Sequence, residues 1–266
     1  MNYLRYLESQ SIFVIREAYA RYRNTGLLWS TGKDSTALLW ICRKAFFGKI
    51  PFPVVHIDTS YKFKEIYEFR DRWAAEWGLD LIVIQNTEAL SSGMNKERGV
   101  LNCCGALKTE GLKSVVEKYG FRALFLAIRR DEHGVRAKER YFSPRTEDFK
   151  WDYRHQPPEL WDFYKQKVSQ DRHLRIHPML HWTELDIWRY TRSEKIPVVP
   201  LYFAKNGRRY RSIGCAPCTA PIESRAGDIH KIIKELESTR EAERSGRAQD
   251  KENEYTMQKL RSLGYM

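Results

Sequence analysis

Residues 30–36, with the sequence S-T-G-K-D-S-T, combine one glycine, one lysine and several hydroxyl side chains directly before a helix-like stretch. A loop that closes onto a helix N-terminus presents unpaired backbone N–H groups, and the helix dipole adds to the anion cradle that they form. Gly32 lets the backbone approach a phosphate without a Cβ in the way, and Lys33 neutralises phosphate charge. Hydroxyl donors are available from Ser30, Ser35 and Thr36. The alternative is an ordinary helix start with Asp34 near its N-terminus, but the position after an apolar, strand-like run favours a phosphate site.

Four of the five cysteines fall into two tight pairs, Cys103-Cys104 and Cys215-x-x-Cys218. An odd number of cysteines argues against a disulfide framework. Close pairing of this kind indicates metal or redox chemistry. The fifth, Cys42, lies one helical turn after an apolar position and suits a small buried hydrophobe. Cys103-Cys104 comes just before a predicted helix, whose N-terminal dipole would stabilise thiolates.

Charged residues follow two further apolar runs of the sequence. Asp58 follows the run 54–57, and Arg129 and Arg130 follow the run 124–128. Ligands of open α/β sheets bind at the carboxyl ends of the strands, so we expect these residues beside the phosphate loop. Asp58 is a candidate for binding Mg²⁺ or a nucleotide hydroxyl, with a helix N-cap as the alternative. The arginines are candidates for holding an oxyanion or pyrophosphate, because guanidinium pairs with both in bidentate fashion; a solvated charge run is the alternative.

The remaining pattern alternates strands and helices. Apolar runs at 27–29, 54–57, 81–84 and 124–128 are typical of strands buried on both faces of a parallel sheet. Helix-like segments occupy 3–22, 35–47, 63–77 and 107–119. This alternation predicts an α/β fold with a doubly wound, mostly parallel sheet. We expect residues 1–225 to form that domain and 226–266 a helical and extended tail.

Two further stretches carry local signals. Thr183 and Asp186 resemble a capping box and predict the start of a helix. Residues 141–170, rich in charged and aromatic residues, predict a long loop near the active site.

Charge and hydropathy limit the functional classes. Lys and Arg number 46 and Asp and Glu 34, which gives a net charge of +12. A basic surface suits an anionic partner such as nucleic acid, a nucleotide or an oxyanion, although an uneven surface alone would also explain it. No apolar stretch approaches the roughly 20 residues that span a bilayer, and the first residues lack the apolar run of a secretion signal. We therefore expect a cytoplasmic protein with no membrane partner.

The phosphate loop has a specific resemblance. It departs from the Walker A pattern, which needs a longer G-x-x-x-x-G-K-[ST] loop. It resembles the S-G-G-x-D-S loop of the ATP pyrophosphatase superfamily, with Thr31 in place of the first glycine. The resemblance implies that the loop binds ATP with Mg²⁺ and that ATP is cleaved between its α- and β-phosphates. The loop residues that it assigns to nucleotide binding are Ser30, Thr31, Gly32, Lys33, Asp34, Ser35 and Thr36, with Lys33 and Asp34 also assigned to catalysis. Position at the strand ends adds Asp58 to nucleotide binding and Arg129 and Arg130 to catalysis.

A longer resemblance covers nearly the whole chain. Segments such as F-P-V-V-H-I-D-T (52–59), K-T-E-G-L-K (108–113), R-R-D-E (129–132) and W-T-E-L-D-I-W (182–188) are similar to the small subunit of bacterial heterodimeric ATP sulfurylase. That family shares the adenine-nucleotide α-hydrolase fold with the sulfonucleotide reductases. The resemblance implies adenylyl transfer from ATP to an anion with release of pyrophosphate, and a GTPase large subunit as partner.

Two features depart from that family. The stretch 204–210 is short where sulfurylase subunits carry an insertion. The cysteine pairs resemble instead the motif of adenylylsulfate reductases, which implies that Cys103, Cys104, Cys215 and Cys218 hold a [4Fe–4S] cluster beside the nucleotide. A structural zinc site and four free thiols are the alternatives. The chain has no cysteine after Cys218, so the C-terminal nucleophile of those reductases is missing.

This combination resembles a third group, the ATP pyrophosphatases of bacterial DNA phosphorothioation systems. The first hypothesis is therefore sulfur incorporation into DNA, with a cysteine desulfurase and DNA-modification proteins as partners and DNA itself as a further candidate. The second is a sulfate adenylyltransferase small subunit of sulfate assimilation. The third is a non-catalytic iron–sulfur sensor that binds ATP as a ligand. The sequence leaves the acceptor, the protein partner and the oligomeric state open.

Overall fold

Six strands form one sheet, in the order β3-β2-β1-β4-β6-β5, in a computed structural model of the chain. They are β1 (Thr25–Leu28), β2 (Val54–Ile57), β3 (Leu81–Ile84), β4 (Ala123–Phe125), β5 (Phe142–Pro144) and β6 (Leu174–Ile176). The first five in spatial order are parallel, and β5 is antiparallel to β6. The structure describes residues 2–156, 158–159, 161, 164, 173–245, 247–248, 256–262 and 264.

The predicted strands are present, with small shifts. β2 and β3 match the predicted runs, whereas β1 and β4 begin earlier and end before the predicted limits. β5 and β6 were not predicted. β6 has the sequence L-R-I, and its central Arg175 is fully buried. A charged residue in a three-residue strand leaves no apolar run for sequence reasoning to detect.

Helices connect the strands and pack on the sheet. They are α1 (Tyr3–Arg21), α2 (Lys33–Ala45), α3 (Lys64–Glu76), α4 (Thr87–Ser91), α5 (Val100–Cys104), α6 (Glu110–Tyr119), α7 (Glu184–Glu194), α8 (Ile229–Ser238) and α9 (Thr256–Ser262). The predicted capping box is confirmed, since the Thr183 side chain accepts from the Asp186 backbone N–H and the Asp186 side chain accepts from that of Thr183. A π-helical turn, Gly105–Thr109, joins α5 to α6, so helix runs on from Val100 where the sequence predicted a start near 107.

Both faces of the sheet are buried, as a doubly wound fold requires. Alternate residues of one strand point to opposite faces. Leu27 of β1 belongs to a core cluster that includes residues of α1, α2 and α7, while its neighbour Leu28 packs in a second cluster with residues of α6. The prediction of a doubly wound, mostly parallel sheet is therefore confirmed.

The strand order reverses at β1. The chain proceeds from β1 to β2 and β3 on one side of the sheet and then returns to β4 on the other side. In open α/β sheets such a reversal opens a crevice at the carboxyl ends of the strands, where ligands bind. The phosphate loop leaves β1 at this crevice and enters α2.

The C-terminal tail packs back onto the domain. Ile232 and Ile233 of α8 belong to the larger core cluster, and Leu260 of α9 packs with Val100 and Cys104. The division at residue 225 stays a prediction. Residues 246, 249–255, 263 and 265–266 of the predicted tail and residues 157, 160, 162–163 and 165–170 of the predicted loop lie outside the described residues. Within the described part of the chain, no helix has the length and apolar character needed to cross a membrane.

Candidate active site

The phosphate loop adopts a constrained turn between β1 and α2. Thr31 has φ 65°, a left-handed conformation that a β-branched residue seldom adopts, and its side chain is buried. Its hydroxyl donates a hydrogen bond of 2.5 Å to the Ser30 carbonyl. Gly32 is the helix N-cap, and a Cβ there would lie 3.4 Å from the Tyr202 hydroxyl. Thr31 therefore adopts the left-handed conformation that favours glycine, at the position where the S-G-G-x-D-S pattern has its first glycine.

The first turn of α2 offers backbone donors. The Lys33 N–H donates to the Tyr202 hydroxyl at 2.9 Å, and the Thr36 N–H donates to the Gly32 carbonyl at 2.9 Å. Among the described residues, no acceptor meets the N–H groups of Asp34 and Ser35. Such N–H groups at the start of a helix bind anions.

Lys33 and Arg129 lie in a buried ion-pair network at the base of this loop. Arg129 is fully buried, and its guanidinium donates to Asp34, Glu243 and Asp131, the last at 3.0 Å. The Lys33 ammonium is 2% exposed and donates to Asp34 at 3.0 Å and to Glu243. One oxygen of the Glu243 carboxylate meets Lys33 and the other meets Arg129.

This network fixes the charge states of its members. Burial alone would lower the pKa of Lys33 and Arg129, but Asp34 and Glu243 raise both above their usual values. Burial would likewise raise the pKa of Glu243, yet Arg129 and Lys33 lower it to about 2. At neutral pH the site therefore holds two buried cations bridged by a charged carboxylate.

Arg130 and Asp58 take other positions. The Arg130 guanidinium contacts His181 Nε2 at 2.6 Å and donates to the Glu139 carbonyl at 3.0 Å, outside the cleft described below. The Asp58 carboxylate accepts from Ser60 N, Tyr67 Oη and Gln85 Nε2 at 2.8 to 3.0 Å, so it organises the end of β2. The functional roles assigned to both residues from the sequence stay predictions.

A cavity of about 160 Å³ opens beside the loop at the carboxyl ends of β1, β2 and β4. Its apolar part includes Leu28, Val55, Ile57, Leu126 and Ile128. Six basic side chains also line it: Lys33, Lys62, Lys108, Arg136, Arg244 and Arg247. Asp34 and Glu132 are its acidic lining residues in the described part of the chain. An apolar slot with an excess of cations suits a planar base joined to an anionic chain, as in a nucleotide.

The four paired cysteines line one small cavity of about 10 Å³ next to this cleft, and Lys108 lines both. The Cys215 loop is held to the segment after β2, because the Ala216 N–H donates to the Tyr61 carbonyl at 2.7 Å. Cys215 Sγ and Thr59 Oγ1 are 3.1 Å apart. The structure thus brings together two cysteine pairs that are more than a hundred positions apart in the chain. Cys42 is fully buried in the larger core cluster instead.

The electrostatic surroundings of these thiols differ. Burial raises the pKa of Cys215, but Lys108, Lys62 and the Thr59 hydroxyl outweigh it and lower the pKa to about 7. Burial and the neighbouring thiols raise the pKa of Cys103 to about 11. The expected stabilisation of Cys103-Cys104 by a helix N-terminus is wrong, because both residues end α5 and the helix continues through them. Within the described residues, no three His, Cys, Asp or Glu side chains are arranged to hold a metal ion.

Sequence reasoning missed several residues of the site. Lys108 lies in the segment 108–113 that carried the family resemblance, and Arg136 and Tyr202 lie in two further segments similar to the same family, R-A-K-E-R (136–140) and V-P-L-Y-F (199–203). That resemblance was the signal that could have found them. Glu243, Arg244 and Arg247 belong to the tail 241–266, which also resembles the sulfurylase small subunit, but nothing in the sequence placed this charged tail at the cleft.

Known proteins resemble this chain in sequence and in fold. Residues 24–221 match the family model described as the phosphoadenosine phosphosulfate reductase domain. The chain is 42% identical to sulfate adenylyltransferase subunit 2 of Pseudomonas aeruginosa and to that of Azotobacter vinelandii. Each alignment runs over 300 residues and covers 100% of this chain and 98% of the relative.

Solved structures share the fold at low sequence identity. An FMN adenylyltransferase of Candida glabrata in complex with ATP has a TM-score of 0.56 at 16% identity, covering 82% of this chain and 63% of that one. A phosphoadenylyl-sulfate reductase of Candida auris has a TM-score of 0.56 at 15% identity, covering 83% and 98%. The fold is therefore of the adenine-nucleotide α-hydrolase type, as the sequence resemblance implied.

Proposed function

Because the chain belongs to the phosphoadenosine phosphosulfate reductase domain family, we propose that it binds ATP at the phosphate loop and transfers the adenylyl group to an anionic acceptor. The observation that carries the proposal is the cleft at the strand-order reversal, where the donor-rich start of α2 and six basic side chains, Lys33 among them, line one cavity. ATP is the nucleotide named in one of the structures that share this fold.

Sulfate is the acceptor that we favour. Curated relatives named sulfate adenylyltransferase subunit 2 align along the whole chain at 42% identity. This likeness favours the sulfurylase hypothesis over DNA phosphorothioation. Those relatives are named as one subunit of an enzyme. We propose that this chain likewise works together with a larger GTPase subunit.

The reaction follows from the chemistry of adenylyl transfer. An oxygen of the sulfate attacks the α-phosphorus of ATP, a new O–P bond forms, and the bond from the α-phosphorus to the oxygen bridging the β-phosphate breaks. Pyrophosphate leaves with that electron pair. The N–H groups of Asp34 and Ser35 and the basic side chains of the cleft stabilise the charge that moves onto it. Mg²⁺ would accompany the phosphates, and Asp34 is the loop carboxylate that lines the cleft.

The cysteine cavity supports a second element of the proposal. Cys103, Cys104, Cys215 and Cys218 line one cavity, and four thiolates are the ligand set of a [4Fe–4S] cluster, so these thiols would close around a cluster that binds there. Lys108 and Lys62 favour the thiolate form of Cys215, the form that binds metal. A cluster held there would supply a site that holds or relays sulfur.

This cavity is the specific observation that keeps a second function open. Adenylation of sulfate needs no redox centre, whereas sulfur incorporation into DNA would use one. In that case a DNA backbone phosphate is the acceptor, a cysteine desulfurase delivers sulfur as a persulfide, a two-electron reductant brings that sulfur to the sulfide level, and the sulfide displaces AMP from the adenylylated phosphate. The sensor hypothesis is weaker, because the relatives that align along the whole chain are named as a subunit of an adenylyltransferase.

The acceptor can be tested by pyrophosphate–ATP exchange with Mg²⁺, comparing sulfate, duplex DNA and no acceptor. Exchange that depends on sulfate supports the favoured function. Exchange that depends on DNA supports the phosphorothioation hypothesis and overturns the favoured one. Exchange equal in all three reactions contradicts both acceptors.

A further inference from the structure

The carboxylate of Glu243, in the C-terminal tail, lies between two buried cations at the base of the phosphate loop. Its side chain is 5% exposed, and its two carboxylate oxygens separately meet Lys33 and Arg129. Lys33 lines the proposed nucleotide cleft, and Arg129 is the strand-end arginine that the sequence made a candidate for holding pyrophosphate. Glu243 lies 210 positions after Lys33, so tail folding alone brings them together.

The contact places a full negative charge at this point. Glu243 is a carboxylate at neutral pH, held between two buried cations. A carboxylate and a phosphate present the same kind of oxygen acceptors to lysine and arginine. The carboxylate of Glu243 therefore stands in for a phosphate group.

We propose that Glu243 and the phosphates of ATP or pyrophosphate compete for Lys33 and Arg129, so that phosphate binding displaces the Glu243 carboxylate. Residues 239–245 and 247–248 then act as a strap that meets these two cations through Glu243 and is released at Glu243 when phosphate binds. The inference rests on the proposed function, because it needs a polyphosphate ligand at this loop.

The Glu243 carboxylate and the phosphates of ATP repel each other, so they should not bind Lys33 and Arg129 at the same time. ATP carries several negative charges, and a like charge in direct contact with the same two cations would weaken its binding. A phosphate can replace both carboxylate contacts and also reach the N–H groups of Asp34 and Ser35, which Glu243 does not use.

The strap is attached in a way that allows this exchange. The Glu241 carbonyl accepts from Arg211 at 3.0 Å, and Arg247 forms an isolated β-bridge with Thr219. Arg244 donates to Glu132 at 3.1 Å, and both Arg244 and Arg247 line the cleft. The segment that supplies the competing carboxylate thus also supplies two cations to the nucleotide cleft. Loss of the Glu243 contact would leave these arginines in place to meet the phosphates.

Isothermal titration with pyrophosphate tests the competition in the full chain. Glu243→Gln keeps the shape of the side chain and removes its charge, and we expect it to bind pyrophosphate about tenfold more tightly or better. Glu241→Gln, two residues away on the exposed surface, is the matched control and should bind as wild type. Equal or weaker binding by Glu243→Gln overturns the strap while leaving the proposed function intact. If neither wild type nor variant binds pyrophosphate, the polyphosphate site and the strap both fall.

A second measurement needs no variant and decides the matter if Glu243→Gln fails to fold. Carboxyl groups of the wild-type protein are labelled with a carbodiimide and glycine ethyl ester, with and without saturating pyrophosphate, and located by mass spectrometry. We expect pyrophosphate to raise labelling of Glu243 several-fold and to leave exposed Glu241 unchanged. Continued protection of Glu243 at saturating pyrophosphate overturns the proposal.

Discussion

The backbone N–H of Lys33 donates a hydrogen bond of 2.9 Å to the phenolic oxygen of Tyr202. Tyr202 is 2% exposed, and its ring lies edge-on to Trp188 of α7 at 5.4 Å between centroids. The tyrosine thus takes the first N–H of α2 and leaves the next two to a ligand. It also ties the loop to a helix packed on the same face of the sheet.

Replacement of Lys33 should abolish most of the activity. We expect Lys33→Ala to reduce pyrophosphate release by about 10²–10³, because a preorganised charge beside the transferring group is lost. Lys44→Ala is the matched control, since Lys44 lies on the same helix but pairs with Glu8 and Glu194 outside the cleft. Pyrophosphate release by Lys33→Ala near the wild-type rate would show that the loop is not the site.

Arg129 should matter for stability as well as for activity. Arg129→Gln leaves Asp34, Asp131 and Glu243 without their shared guanidinium, and removing one partner of a buried ion pair typically costs about 3–5 kcal/mol. Arg130→Gln is the control, and the loss of its contacts with His181 and the Glu139 carbonyl should cost about 1 kcal/mol. Urea unfolding measures both. Equal stability of the two variants would contradict the role given to the buried network.

The left-handed conformation of Thr31 predicts that glycine stabilises the protein more than alanine does at this position. Thr31→Gly and Thr31→Ala both remove the hydroxyl, so their difference isolates the backbone. At φ 65° we expect the glycine variant to be more stable by about 1 kcal/mol, because Ala meets the left-handed penalty and Gly does not. At Ser35, within α2, the same pair should show the opposite order by about the same amount. Ala more stable than Gly at position 31 would show that the turn is relaxed.

Local signals explain which parts of this fold were predictable. The strands β2 and β3 and the phosphate loop follow from apolar runs and from residue types that are adjacent in the chain. The strand β6 could not be recognised because Arg175 interrupts it. Glu243 could not be assigned to the site because its partners lie 210 and 114 positions away, and only tertiary folding unites them. The four cysteines were an intermediate case, since pairing in the sequence pointed to shared chemistry and the fold brings them to one cavity.

The cysteine cavity should hold iron and sulfide when oxygen is excluded. Protein purified anaerobically should be brown and contain close to stoichiometric iron and sulfide, because four thiolates are the ligand set of a [4Fe–4S] cluster. Serine at Cys103, Cys104, Cys215 or Cys218 should remove the colour, whereas Cys42→Ala should keep it. Colourless, iron-free protein that is fully active in adenylyl transfer would exclude a functional cluster. Zinc in place of iron would indicate a structural metal site.

The bond that is broken in ATP tests the central claim most directly. The protein, with its large subunit where that is required, is incubated with ATP labelled at the α-phosphate, Mg²⁺ and sulfate, and the nucleotide products are separated by chromatography. Inorganic pyrophosphatase is added so that accumulated pyrophosphate does not reverse the reaction. Adenylyl transfer predicts that the label appears in an adenylylated acceptor or AMP, with one pyrophosphate released for each and recovered as two orthophosphates. Label recovered in ADP, with orthophosphate released from the γ-position, would contradict the account.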